Sequence, residues 1–145
     1  NTTGTYNVAL GYLSLYAATT ASNNIAIGVG AGDAVTTGPQ NVFIGTNAGG
    51  ANTTAGSNTA VGYQAFLSNT TGTYNTSVGW QALDANTTAS FNTAVGHLSL
   101  SSTTTGHTNT AMGVYSLRDV TDSDHNTLVK VPDTQDTVLQ IPPWA

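Results

Sequence analysis

The chain has 145 residues, 6 % of them charged and 39 % apolar, with 16 Gly, no Cys and a formal net charge of -5. Two basic residues, Arg118 and Lys130, leave nothing to neutralise a run of phosphates, which excludes nucleic acid as a partner. The lack of Cys excludes disulfides and thiolate metal sites, and no apolar run reaches the roughly 18 residues of a membrane span.

An apolar fraction of this size with so little charge is unlike a disordered chain. Asn, Thr, Gly and Ala dominate instead, and they recur with a period. The chain opens on Asn1 rather than Met, with no basic stretch leading into an apolar one, as expected of a fragment or a processed chain. Residues 1–6 (Asn-Thr-Thr-Gly-Thr-Tyr) are repeated at 69–74, so the start of the chain reads as the end of an earlier copy.

From there Asn stands at 7, 24, 41, 58, 75, 92, 109 and 126, a period of 17 without a slip. Counting each of these Asn as position 0, position +4 is Gly in seven copies, Gly11, Gly28, Gly45, Gly62, Gly79, Gly96 and Gly113, and Lys130 in the eighth. Position +7 is small throughout, from Ser14 and Ala31 to Ser116. Position +12 is Thr from Thr19 to Thr121, and position +13 is Thr from Thr20 to Thr105. The next column alternates between Gly and Ala (Gly4, Ala21, Gly38, Ala55, Gly72, Ala89, Gly106), so neighbouring copies are expected not to be equivalent.

Within a copy, Asn58-Thr-Ala-Val-Gly62 reads as a short strand ended by Gly, Ala65-Phe-Leu67 as a second extended apolar touch, and Asn69-Thr-Thr-Gly72 as a bend. Helical periodicity is absent, and β-branched residues with a Gly in every copy oppose a helix. The fold class is therefore all-β, a parallel β-solenoid with 17 residues per turn and two short strands per coil. In such a stack, Asn7, Asn24, Asn41, Asn58, Asn75, Asn92 and Asn109 form a side-chain ladder, and the Gly column gives positive φ or close backbone approach. At about 4.8 Å per turn, eight coils make a rod of about 40 Å. One coil buries too little apolar surface to stand alone. The Ala and Ser rows at +2 and +7 suit packing against another surface, and three coils about a common axis would bury them, which predicts a homotrimer.

The segments Asn58-Thr-Ala-Val-Gly-Tyr-Gln-Ala-Phe66 and Asn75-Thr-Ser-Val-Gly-Trp-Gln-Ala-Leu83 resemble the Asn-Thr-Ala-[Val/Ile]-Gly-Tyr-Gln-Ala-Leu repeats of bacteriophage tail fibres. Asn41-Val-Phe-Ile-Gly-Thr-Asn-Ala-Gly49 resembles a Gly-ending variant of the same repeat, and Ala26-Ile-Gly28 is distantly similar to the head repeats of trimeric autotransporter adhesins. The resemblance covers residues 1 to about 125. It implies a homotrimeric β-helical shaft or receptor-binding tip, extracellular, on a virion or a cell surface, attaching to a host-surface glycan or receptor, with no enzymatic activity and no cofactor.

If the ladders are scaffold, chemistry belongs to the columns that vary. Position +5 holds Tyr63, Trp80 and His97 in successive copies, and position -1 holds Tyr74 and Phe91. Stacked rings with polar tips suit sugar rings or a receptor groove, and they equally suit packing on a neighbouring subunit. Asp119, Asp122, Asp124 and His125 read as a solvated charged cap rather than a Ca²⁺ loop. Asp33 and Asp84 share a column three coils apart, too far to act as a catalytic pair. His97, His107 and His125 lack partners at metal or triad spacing, and the Asn-x-Ser/Thr sequons at Asn1, Asn52, Asn69, Asn75 and Asn86 follow from a Thr-rich repeat. The repeat domain is placed at 1–125 and a cap or connector at 126–145, where Val129-Lys-Val-Pro132 and Thr137-Val-Leu-Gln-Ile141 read as extended. Two further functions fit such a chain: a self-assembling extracellular filament subunit, and an ice-binding solenoid with regular Thr columns. Against the second, adjacent Thr residues on a strand point to opposite faces.

Overall fold

The structure, a computed structural model, describes residues 1–130. Eight three-residue strands, β1 (Val8–Leu10), β2 (Ile25–Ile27), β3 (Val42–Ile44), β4 (Thr59–Val61), β5 (Thr76–Val78), β6 (Thr93–Val95), β7 (Thr110–Met112) and β8 (Thr127–Val129), form one parallel sheet in chain order. Each strand pairs with the next at an offset of one coil, as Thr59 with Thr76 and Val61 with Val78, so every column of the repeat becomes a physical row. The chain is a parallel β-solenoid with 17 residues per turn. Strand β8 lies beyond the boundary drawn at residue 125 and keeps the same register against β7. The extended segments expected within 131–145 lie outside the described residues.

Each coil carries one strand, not two. The stretch expected to form a second strand, Ala65-Phe66-Leu67, belongs to a turn in which Gln64 and Phe66 have φ of 52° and 59°. Left-handed backbone recurs at positions -1, +6 and +8 of the coils, and the bulky Leu15, Phe66, Leu83, Leu100 and Leu117 occupy it at +8. Each such residue costs on the order of 1–2 kcal/mol, which one coil cannot offset. The stack offsets it by satisfying the turn's polar groups in both directions. Gln64 N–H donates to the Thr46 carbonyl of the coil before (2.9 Å), and Phe66 N–H to the Ala82 carbonyl of the coil after (2.9 Å). These bonds hold the turn, and its left-handed bends swing Phe66 inwards to full burial.

The interior is thin. Ala60 at +2 and Ala65 at +7 are fully buried within the single chain, as are Ala94, Ser77, Ala82 and Ser99 in the same rows. These rows therefore meet inside the coil, and the expectation that they pack against a second chain is corrected: their small size sets the narrowness of the core. Where +8 is Leu or Phe, +2 is Ala or Ser. In the third coil the sizes are exchanged, because Phe43 fills +2 and Gly32 and Gly49 occupy +8 around it. A Cβ on Gly49 would lie 2.5 Å from the Phe43 ring, and one on Gly32 2.7 Å from it.

The ladders explain the invariant residues. The Asn column is buried from Asn24 to Asn109; each Oδ1 accepts the backbone N–H of the next Asn, and each Nδ2 donates to a carbonyl at the bend that follows. From Thr19 to Thr104 the Thr column at +12 donates each hydroxyl to the carbonyl of the next Thr, as Thr70 to Thr87 at 3.0 Å. The Gly column at +4 has φ from 114° to 138°, and a Cβ on Gly79 would sit 2.5 Å from the Gly96 carbonyl oxygen, so any other residue is shut out. At the Gly/Ala corner the coils alternate as expected. Thr37, Thr71 and Thr105, which precede Gly38, Gly72 and Gly106, each donate an extra N–H to the next coil's Thr carbonyl, and so does Thr20 before Ala21, so the alternation rests on the space at the Gly positions rather than on this bond. A Cβ on Gly38 or Gly72 would meet the carbonyl of Ala55 or Ala89 at 2.2 or 2.1 Å.

Candidate functional site: the stacked aromatic columns

On each strand the middle residue points into the coil and its neighbours point out, as the burial of Ala60 between partly exposed Thr59 and Val61 records. The left-handed residue at -1 and the Gly at +4 bend the chain at either end of the strand. The side chains at -1 and +5 thereby stand beside the outward strand face, the first at its entry and the second just past its Gly.

The rings foreseen at +5 stack along the rod. Tyr63 and Trp80 have centroids 6.1 Å apart and planes 13° apart, and Trp80 and His97 are 4.9 Å and 23° apart. The two rings foreseen at -1, Tyr74 and Phe91, are 5.2 Å apart and within 5° of parallel. The coil spacing of about 4.8 Å is close to the preferred separation of stacked rings, so the repeat sets this geometry without further design. Tyr63, Trp80, Tyr74 and Phe91 stay 43–59 % exposed, unlike the buried Phe66.

Tyr115 extends the first stack by an edge contact to His97 (5.2 Å, 80°), and the Arg118 guanidinium lies 5.5 Å from the Tyr115 ring centroid. Both escaped sequence reasoning. Tyr115 stands at +6 rather than +5, with the left-handed backbone (φ 58°) shared by that position in the other coils, so column spacing did not join it to His97. The two stacks are six residues apart along the chain, at most about 20 Å, with Thr76, Val78, Thr93 and Val95 of β5 and β6 between them. Together they make a half-exposed surface with flat ring faces at both margins, hydroxyl and indole N–H groups among them, and one guanidinium at an end. Such a surface can stack on sugar rings or cover an apolar partner.

The other polar residues singled out in the sequence serve the scaffold. Asp119 is paired with Arg118 through two contacts of 2.9 and 3.1 Å, which hold its carboxyl below the usual range. Asp124 accepts the backbone N–H of His107 at 2.6 Å, and His107 in turn accepts that of Ser90 through Nδ1 at 3.0 Å. Asp122 accepts the Thr121 hydroxyl. The described residues contain no cluster of three or more His, Cys, Asp or Glu able to hold a metal. Asp84 is half-buried, its Oδ1 has no hydrogen-bond partner, and burial pushes its carboxyl up.

The sequon residues Asn52, Asn69 and Asn86 form a second buried ladder, with Nδ2 of Asn69 donating to Asn52 and that of Asn86 to Asn69, both at 2.8 Å. Asn75 is buried in the first ladder, and of the five sequon residues Asn1 alone is exposed. Among the described residues no helix is long and apolar enough to cross a membrane. Comparison with protein-family models, with curated proteins and with solved structures finds no match to this chain.

Proposed function

We propose that this chain is a non-enzymatic segment of a homotrimeric extracellular fibre, of the phage tail-fibre or adhesin kind, that supplies length and rigidity and attaches through its exposed aromatic columns. The observation that carries the proposal is the pair of stacked ring columns, Tyr63–Trp80–His97 and Tyr74–Phe91, held half-exposed on a ladder whose backbone groups are satisfied coil to coil. A rod built this way resists bending, because each coil is bonded to its neighbours by strand, Asn and Thr rows at once. The resemblance of Asn58–Phe66 and Asn75–Leu83 to tail-fibre repeats supports the same reading.

The test is binding of the chain to a panel of cell-surface glycans and to intact bacterial cells, with Trp80→Ala as the variant. Trp80 is partly exposed at the coil surface, so its removal leaves the core intact. Binding should fall at least tenfold while the thermal midpoint stays within a few degrees. Equal binding by the variant would reject the aromatic columns as the attachment site.

A specific observation favours ice binding as the second reading. Thr59, Thr76, Thr93, Thr110 and Thr127 form a regular outward column beside Val61, Val78 and Val95. The Thr column at +12 is less suited, because its hydroxyls are engaged with backbone carbonyls. A thermal hysteresis measurement decides, with no hysteresis counting against ice.

A further inference from the structure

The outward face of the sheet carries a row that the single coil does not use. Position +3 is a large aliphatic residue in all eight coils, including Ile27, Ile44, Val61, Val78, Val95 and Met112. The core is already filled by positions +2, +7 and +8, and the +3 side chains lie outside it, partly or well exposed, with Leu10 at 65 % and Met112 at 44 %. Flanking positions -1, +1 and +5 contain no Asp, Glu, Lys or Arg in any described coil, although the chain carries a net charge of -5. This face is thus aliphatic along its midline, and its rows at -1, +1, +3 and +5 carry no formal charge, with Arg118 and Lys130 lying towards one end.

We infer that this face is the seam between copies of the chain, which lie parallel and in register with their +3 rows towards a shared axis. This deepens the trimeric reading above and rests on it. Periodicity selects the occupant. A globular partner or a small ligand meets a few coils and has no use for the same aliphatic residue at eight successive levels. A second solenoid of 17-residue coils meets every level alike.

The +1 row selects the direction. It is aliphatic at Val8, Ile25 and Val42 and Thr from Thr59 to Thr127, so parallel copies join aliphatic to aliphatic and Thr to Thr, whereas antiparallel copies would oppose them. Seven steps of about 4.8 Å and a width of about 15 Å give on the order of 500 Å² per copy. That makes about 1,000 Å² per pair, the lower bound for a specific interface, and each further coil adds to it. The aromatic columns then stand at the two margins of the seam, where their outer edges remain open to solvent.

The chain has no Cys, so single cysteines report cleanly. Leu10→Cys and Val78→Cys place a thiol on the +3 row near one end and near the middle, and Thr88→Cys places one on the exposed Thr-Thr corner. Each full-length variant is treated with a short bis-maleimide, and the mass of the untreated chain is measured by analytical ultracentrifugation. A trimer mass is expected, with most of the chain cross-linked through Leu10→Cys and Val78→Cys and only background through Thr88→Cys. Cross-linking at Val78→Cys without Leu10→Cys would overturn the parallel register. A trimer whose cross-links run through Thr88→Cys, or through neither +3 cysteine, would overturn this seam and leave the trimer standing. A monomer mass at tens of micromolar would overturn both.

Discussion

Asn58 holds Asn75 in place: its Oδ1 accepts the Asn75 backbone N–H at 2.9 Å while its Nδ2 donates to the Gly72 carbonyl at 2.9 Å. One side chain therefore ties the start of a strand both to the start of the next strand and to the bend between them, in a buried part of the coil. Asn58→Ala leaves the Asn75 N–H buried without a partner. The expected loss is about 2–4 kcal/mol in urea denaturation, against about 0.5 or less for Thr88→Ala on the exposed corner. Equal losses at the two sites would show that the ladder contributes nothing beyond local packing.

The two kinds of glycine should separate. Gly79→Ala puts a methyl group 2.5 Å from the backbone of the next coil at a φ of 136°, and is expected to cost at least about 2 kcal/mol. Gly50 has ordinary φ, and its nearest neighbour is the movable end of Leu67 at 3.2 Å. Gly50→Ala should stay within about 1 kcal/mol. Thermal midpoints of the two variants measured together provide the check.

The exchange of sizes around Phe43 can be reversed by hand. Phe43→Ala empties a fully buried site and should cost about 3–5 kcal/mol. Adding Gly49→Leu rebuilds the Ala-with-Leu arrangement of the sixth coil, where Ala94 faces Leu100 at the same left-handed position. The double variant is expected to recover at least half of the lost stability, although Gly49→Leu alone clashes with the Phe43 ring and is destabilising. Additive losses in the double-mutant cycle would refute the exchange.

Asp84 makes a pH prediction. Burial favours its neutral form, so its carboxyl titrates higher in the folded chain than in the unfolded one. Such a group favours folding fully below the ordinary carboxyl range, and that advantage is lost as pH rises through the raised value. Asp84→Asn should therefore raise the thermal midpoint at pH 7, and the difference from the parent chain should shrink as pH falls to about 4. The variant also isolates this residue from Asp119, whose shift runs in the opposite direction. A difference that grows on acidification would contradict the assignment.

The rows that repeat without exception were readable as structure. Asn24 to Asn109, Gly11 to Gly113 and the Thr column each do one job in every coil, so period and residue type together named the job. The stacks Tyr63–Trp80–His97 and Tyr74–Phe91 were readable too, since register turns a shared column into contact. The turn was not readable. Ala65-Phe66-Leu67 has the residues of a strand, and nothing local announces that Phe66 sits at positive φ, where bulky residues are disfavoured. The partners that support that conformation, the carbonyls of Thr46 and Ala82, lie in the neighbouring coils. The same gap hid the second Asn ladder, because Asn52, Asn69 and Asn86 carry a glycosylation pattern that their burial makes irrelevant. It also misplaced the small rows, whose Ala and Ser suit an inner wall as well as an outer one.

The alternating Gly and Ala corner bears on how such a rod can change length. A Gly coil makes room for the carbonyl of the Ala coil that follows it, so the structural unit at this corner is a pair of coils, 34 residues, rather than one. Excising residues 39–72 rejoins Gly38 to the coil of Ala89 and leaves every corner matched. Excising 39–55 sets Gly38 against Gly72 and breaks the alternation. The two-coil excision is therefore expected to keep a thermal midpoint closer to that of the parent chain than the one-coil excision, and a rod altered in pairs of coils changes length by steps of about 10 Å.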